Sequence, residues 1–398
     1  MSPNNVTPGR WISTWTAMPQ LTEPDNLPPA PYTTDGLVLA GSTLRQSVRV
    51  SAGGSRLRVR LSNTFGGAPL PVTAASVALP EGGRAGVSTI RPGTARPVTF
   101  SGRPFADVPV GAQVVSDPLD LAPEPGSVLT VSLHLADGQT SELVTSHPGS
   151  RTTSYLAAGD HVAAADLPDA TPVDHWYFLS ALEVRAEPGT AVLALLGDSL
   201  TDGRGSTTNH NDRWPDRLFD RLGPAAGVAV ANQAAGGNRL LNDGLGPGAL
   251  ARFDRDVLAL SGVRWLIVLE GVNDIGTAPA TRPAQRRVAE DLIAAYEQII
   301  VRAHAHDVRV YGGTLTPFGG NLPYDDAEGH REAARQTVND WIRRGGRFDA
   351  VIDFDRAARD PAAPRRLLPA LDLGDHLHLN PEGHRALAGA VPARLFTG

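Results

Sequence analysis

The chain contains no cysteine in 398 residues, which excludes disulfides, thiolate metal sites and a cysteine nucleophile and removes redox state as a clue to compartment. No apolar run approaches the ~20 residues that a membrane-spanning helix requires. The N-terminal stretch Met1-Ser-Pro-Asn-Asn-Val-Thr-Pro-Gly-Arg10 lacks an apolar h-region. It therefore reads as a cytoplasmic protein without an export signal, and a secreted protein whose leader had been trimmed or replaced would read the same. Arginine is scattered with no basic tract, and a formal net charge of −6 gives no electrostatic reason to expect nucleic acid or an anionic membrane as partner. What is present is an ordinary globular composition, 41% hydrophobic and 20% charged with a mean hydropathy of −0.15, unlike the weakly hydrophobic, highly charged chains that stay disordered. A length of 398 residues exceeds one typical domain of roughly 100–200 residues and predicts two.

The two halves are written differently. From about Trp11 to Val184 the apolar pattern has period two, as in Arg56–Leu61 and Val128–Leu135, which predicts half-buried antiparallel strands. Glycine and proline punctuate them at Ala52–Ser55, Phe65–Pro69 and Ala122–Gly126, with no long 3.6-residue period between. This predicts an all-β, jelly-roll-like sandwich over residues 1–187. The turn-prone Arg185–Thr190 then leads into alternating strands and helices over 188–398. Strands are expected at Ala191–Leu196, Val228–Asn232, Trp265–Leu269, Val308–Gly312 and Ala350–Asp353. Helices are expected near Arg213–Leu222, Leu250–Leu260, Arg282–Ala305, Glu328–Arg344 and from Pro381. Such alternation predicts a parallel sheet with helices on both faces, whose site lies at the C-terminal strand ends.

Four of those regions carry polar chemistry. The first strand runs into Gly197-Asp-Ser199, where a serine hydroxyl would stand at a helix N-terminus, although Asp198 and Ser199 would serve equally as helix caps. The second runs into Asn232-Gln-Ala-Ala-Gly-Gly-Asn238 and the third into Glu270-Gly-Val-Asn-Asp274; near the C-terminus stands Asp375-His-Leu-His378. Together they offer a hydroxyl, a base, a carboxylate to orient it and donors for an oxyanion, the parts nucleophilic acyl transfer needs. Asp375 and His378, three apart, can share one turn, whereas His376 would project elsewhere and has no partner spaced like Asp375. Asn273 also fits an Asx turn.

Gly-Asp-Ser-Leu, the glycine block, Gly-x-Asn-Asp and Asp-x-x-His, in this order from Ala191 to the C-terminus, resemble the SGNH (GDSL) hydrolase family. The resemblance implies a flavodoxin-like three-layer α/β/α domain and a serine hydrolase that acts on ester bonds without metal or other cofactor. Carried over block by block, it makes Ser199 the nucleophile, His378 the general base and Asp375 its orienting carboxylate. The N–H groups of Ser199 and Gly237 and the amide of Asn273 would form the oxyanion hole. Gly236 competes with Gly237, which is preferred because it precedes the polar Asn238. The family's usual Asp-x-x-His-Pro-Asn becomes Asp-x-x-His-Leu-Asn-Pro here, a change in the loop rather than the dyad. Asp198, Asp202 and Asp274 read as structural.

The expected function is a serine esterase acting through an acyl-enzyme on short-chain or acetyl esters, small-molecule or carbohydrate. A lipase, lysophospholipase or acyltransferase would use the same triad. A second possibility makes the N-terminal half a carbohydrate-binding module, with Trp11, Trp15, Trp176 and Tyr177 stacking on sugar rings or else closing its core. His376, His378 and His384, or His304 and His306, could suggest a metal cluster, but the first set is better used by a triad and the second ends an amphipathic helix. Phe318, in the glycine-rich Gly312–Gly320, is expected to line a substrate pocket or fill a buried turn. Asn209–Trp214 would shape the cleft or cap a helix. Oligomeric state is left open.

Overall fold

The computed structural model describes residues 9–396; Met1–Pro8, most of the N-terminal stretch considered above, and Thr397–Gly398 lie outside the described residues. The chain divides into two compact units. The first holds the residues up to His147, Thr152–Val192 and Pro224–Ala231. The second holds Pro148–Arg151, Leu193–Gly223 and Asn232 onward.

The first unit is built on two antiparallel sheets. The strands of these two sheets, beside which shorter strands form three smaller ones, are β1 (Arg10–Thr16), β2 (Ser42–Arg49), β3 (Leu57–Ser62), β4 (Ala74–Ala78), β5 (Arg96–Pro97), β6 (Gln113–Val115), β7 (Val128–Leu135), β8 (Ser154–Ala158), β9 (Thr171–Val173) and β10 (Leu179–Ala186). One sheet has the order β1-β10-β3-β6, the other β9-β8-β2-β7-β4-β5. In β3 the expected alternation holds: Leu57, Val59 and Leu61 are buried, while Arg58 and Arg60 are half-buried and both pair with the buried carboxylate of Glu183 on β10. In β7 it does not. Val128–Leu135 is buried at every position because this strand pairs on both edges, with β2 and β4, and its polar face is covered too. Arg45 of β2 reaches over Ser132 and donates to the carbonyls of Ser88, His161 and Ala164. The guanidinium thus satisfies a loop backbone that would otherwise be buried unpaired, and burial lowers its pKa to about 10 against the charge of Asp166.

Three of the four aromatic residues considered for sugar stacking are core, and Trp11 is half-buried. Trp15 and Trp176 meet edge to face at 4.8 Å, and Trp15, Trp176 and Tyr177 are 7%, 2% and 0% exposed. Trp11 is covered by the Arg58 guanidinium at 4.4 Å. No ring face of the three buried residues is open to a ligand, which corrects that part of the carbohydrate-module expectation.

The C-terminal region forms a five-stranded parallel sheet, β11 (Ala191–Gly197), β12 (Val228–Asn232), β13 (Val263–Leu269), β14 (Arg309–Gly313) and β15 (Ala350–Ile352), in the order β12-β11-β13-β14-β15. Every residue of β11 is buried, as a strand covered on both faces requires. The helices are α1 (Ser199–Asp202), α2 (Trp214–Leu222), α3 (Ala249–Phe253), α4 (Val272–Thr277), α5 (Arg282–His304), α6 (His330–Arg344), α7 (Phe354–Ala358) and α8 (Pro381–Ala390). They pack in two groups, α2 with α7 and α8, and α3 to α6 with one another, which gives the α/β/α layering. On α5 the buried residues Gln285, Ala289, Leu292, Ala295, Tyr296, Ile299, Ile300 and Ala303 follow the 3.6-residue period that made this helix legible. Among the described residues no helix is long and apolar enough to cross a membrane.

Two helical features differ from expectation for electrostatic reasons. The helix expected near Leu250–Leu260 is α3 followed by a π-helical turn, Asp254–Leu258. Its Arg252 is fully buried and bonds Gln233 O, Asn238 Oδ1 and Asp256, so the helix is anchored to the glycine block. The unexpected α7 starts on an Asp353 cap and carries Asp355. Asp355 accepts from buried Arg335 at 2.7 Å and from Arg343 at 2.6 Å, which ties α7 to α6. Removing one member of such a buried pair typically costs about 3–5 kcal/mol.

Candidate active site

Ser199 owes its position to the turn that ends β11. A Cβ on Gly197 would lie 2.6 Å from Thr201 Oγ1 and 2.9 Å from Leu269 O, so the strand can close onto α1 only with glycine there. Asp198 caps α1 by accepting from Leu200 N–H at 2.9 Å, and Gly203, at φ 101°, ends it. The helix is one turn long, which presents the serine hydroxyl at its first position.

Ser199 Oγ is 2.8 Å from His378 Nε2, and His378 Nδ1 is 2.6 Å from Asp375 Oδ2. Asp375 Oδ1 also accepts the backbone N–H of Leu377 at 3.0 Å and of His378 at 2.8 Å. One carboxylate therefore orders both the loop and the ring it carries. Ser199 and His378 are nearly closed off from solvent, at 6% and 9% exposure. Burial lowers the His378 pKa below the ordinary histidine value, and the Asp375 hydrogen bond and charge oppose but do not reverse this. Burial alone would raise the Asp375 pKa, yet hydrogen bonds from the His378 backbone and ring and from Leu377 outweigh it and hold the carboxylate below its usual value. At neutral pH this is a neutral imidazole between a hydroxyl and an ionised carboxylate, the arrangement that can take a proton from Ser199.

The donor groups gather at the ends of β12 and β13. In the glycine block Ala235 N–H goes to Gly197 O and Asn238 N–H to Ala235 O. The two N–H groups between them, of Gly236 and Gly237, make no hydrogen bond among the described residues. Gly237 has φ 67°, and Leu245 packs against it so that a Cβ there would fall 2.6 Å from Leu245 Cδ1. Asn273 begins the second residue of α4 rather than an Asx turn, since its side chain bonds distant groups: Nδ2 donates to Asn238 O at 2.7 Å and Oδ1 accepts from Tyr324 OH at 2.7 Å.

The remaining candidates serve the scaffold. Asp274 accepts Leu240 and Leu241 N–H at 2.8 and 2.9 Å, fastening the segment after the glycine block. Asp202 faces Arg151 at 3.6 Å. Gly149 lies so close that a Cβ there would stand 1.9 Å from Asp202 Oδ2. This Pro148–Arg151 segment is a contribution from the first half of the chain that no motif signals. His376 has no carboxylate three residues before it, as Asp375 stands before His378, but pairs with Asp372 four residues before it at 2.7 Å. It is exposed, at φ 63°, away from Ser199's base position. His384 is buried between Trp214 N–H and Arg204 O, and burial lowers its pKa to about 4. His304 pairs with Asp349 at 2.9 Å. No group of three or more His, Asp or Glu side chains among the described residues is placed to hold a metal. Asn209 N–H bonds Arg151 O and Asp212 accepts from Thr207, while Trp214 opens α2 without a side-chain cap. Phe318 is buried edge to face with Tyr324 at 6.3 Å.

Beneath the donors lies a buried carboxyl that sequence reading passed over. Glu270 directly follows β13, with both oxygens buried and unpartnered in the described structure. Burial, then the Asp198 charge, raises its pKa well above the usual carboxylate value, Arg252 opposing. Burial likewise brings Asp198 to about 7.

Residues 195–386 match the model of the GDSL-like lipase/acylhydrolase family. No curated protein matches the chain. Among solved structures it is similar to a lipolytic protein of the G-D-S-L family from Desulfitobacterium hafniense DCB-2, at 17% identity over 52% of this chain and 99% of that one, with a TM-score of 0.38. It is similar also to an acetyl xylan esterase variant from Geobacillus stearothermophilus, at 20% identity over 50% and 92% with a TM-score of 0.38. A third is an acylhydrolase from Bacteroides fragilis NCTC 9343, at 18% identity over 51% and 85% with a TM-score of 0.37.

Proposed function

We propose, from the match of residues 195–386 to the GDSL-like lipase/acylhydrolase family, a serine esterase that works through Ser199, His378 and Asp375. The observation that carries the reading is the continuous hydrogen-bond line from Ser199 Oγ through His378 to Asp375, at 2.8 and 2.6 Å. His378 Nε2 takes the hydroxyl proton as Ser199 Oγ adds to the ester carbonyl. The resulting oxyanion accepts N–H groups of Ser199 and Gly237 and the Asn273 amide, and the imidazolium is balanced by Asp375. His378 then returns the proton to the departing alcohol. Water attacks the acyl-enzyme by the same route in reverse and frees Ser199.

A short acyl group is favoured because Leu245 fills the space against Gly237, and the ring of Tyr324 fills the space against Gly276, where a Cβ would fall 2.4 Å from the ring. Acetyl esters of carbohydrates fall within this reading. One observation favours a longer substrate: Leu245, Leu322 and Leu373 are 52%, 94% and 42% exposed. Rates across p-nitrophenyl esters from acetyl to long-chain, run beside acetylated sugars, separate the two. The esterase reading predicts the highest kcat/KM at acetyl or other short chains. A maximum at long chains would replace it with a lipase, and no hydrolysis of any ester would sink both.

The pH dependence follows from the base. His378 must be neutral to act, and its pKa lies below the ordinary 6.5 because burial outweighs Asp375. The kcat/KM of the free enzyme should therefore rise with pH through a midpoint below 6.5 and be level by neutrality. A pH–rate profile checks it, and a midpoint at or above 6.5 would contradict the assignment of His378 as a desolvated base.

A further inference from the structure

We propose that Tyr324 is a positioning residue for ester hydrolysis: its phenol O–H fixes the Asn273 amide in the one orientation that offers an N–H to the oxyanion. The inference rests on the reading of Asn273 as an oxyanion donor. The side-chain amide has two donors on nitrogen and two acceptor sites on oxygen. The carbonyl of Asn238 can only accept, so the atom 2.7 Å from it is Nδ2. The atom 2.7 Å from the phenol is then Oδ1, and Tyr324 is the donor. With Oδ1 held by the phenol and one N–H held by Asn238, one N–H remains. Asn238 directly follows Gly237 in the chain, so the two side-chain contacts also lock Asn273 to the glycine block.

The phenol is held as firmly as the amide. Its ring lies where Gly276 has no side chain; a Cβ there would be 2.4 Å from Tyr324 Cδ2. Phe318 packs against it edge to face, at 88°. Tyr324 N–H bonds Asn321 Oδ1 at 3.1 Å, and Asn321 Nδ2 donates to Asp375 O at 2.8 Å. A single loop, Phe318–Asp325, thus reaches the oxyanion donor at one end and the backbone of the triad carboxylate at the other. Burial, then the Asp198 charge, raises the phenol's pKa, so it stays a donor throughout the neutral range. Packing alone would be served by phenylalanine, whereas only a hydroxyl reaches Asn273.

The test is a double-mutant cycle with Tyr324→Phe, Asn273→Ala and the pair, assayed with p-nitrophenyl acetate, each variant checked for folding by circular dichroism and thermal melting. Asn273→Ala should lower kcat by ~10²–10³-fold. Tyr324→Phe should lower kcat by about tenfold with KM within about twofold, as expected for a contact expressed in the transition state. Because Tyr324 acts through Asn273, the pair should match Asn273→Ala to within about twofold. Wild-type kcat in Tyr324→Phe, a loss confined to KM, or losses that multiply in the pair would overturn the proposal while leaving Asn273 as donor. Wild-type kcat in Asn273→Ala would overturn both readings together.

Discussion

Ser199→Ala should fold and melt as the wild type does and should lose ester hydrolysis by on the order of 10⁶-fold in kcat. The two halves of this expectation have separate origins. The turn that holds residue 199 is made by Gly197, by the Asp198 cap on Leu200 N–H and by Gly203, none of which uses the serine hydroxyl. What that hydroxyl does contact is His378 Nε2, and a buried histidine whose pKa is already lowered is neutral at pH 7 with or without it. Alanine therefore removes the nucleophile and little else. An organophosphonate should add its mass to the wild-type peptide containing Ser199 and to no peptide of the variant. Turnover of p-nitrophenyl acetate within about tenfold of wild type would show that another group attacks, and the assignment would fail.

How much of this was legible in the sequence depended on the kind of interaction. The parallel sheet and long helices were, because buried strands such as β11 and periodic stripes such as that of α5 are written in local hydrophobic pattern. The blocks around Ser199, Asn273 and His378 were readable because each is a short run whose parts act within one turn. What was not legible came from groups far apart in the chain. The polar face of β7 looked like a solvent face, yet it is buried, and at Ser132 it is covered by Arg45 with the carbonyls that Arg45 gathers. The tryptophans could have been ligand platforms or core, a choice decided by the pairing of Trp15 with Trp176 across 161 positions of sequence. Tyr324 and Asn273 are 51 residues apart, and Gly149 and Asp202 come from opposite sides of the predicted domain boundary. No spacing rule connects such pairs. The one hint was Phe318, noticed because its stretch is rich in glycine; it fills a buried turn of the same loop that carries Tyr324.

Asp375→Asn should lower kcat by about 10⁴-fold, through a proton on the wrong nitrogen. Asp375 Oδ1 accepts two backbone N–H groups, from Leu377 and His378, and an asparagine in its place can satisfy them only with its carbonyl oxygen. Its NH₂ then faces His378 Nδ1, at the place where Oδ2 now stands 2.6 Å away. A donor there requires Nδ1 to be bare, so the ring proton moves to Nε2, and Ser199 Oγ meets an N–H instead of a base. KM should change little, because neither atom binds the ester in its ground state. A second consequence has a definite sign. The carboxylate is what opposes the lowering of the His378 pKa by burial, so removing its charge leaves burial less opposed and moves the acid limb of the residual activity to lower pH. An acid limb that moves upward, or a kcat within about tenfold of wild type, would mean that Asp375 neither fixes the tautomer nor balances the imidazolium, and that its three hydrogen bonds serve the loop alone.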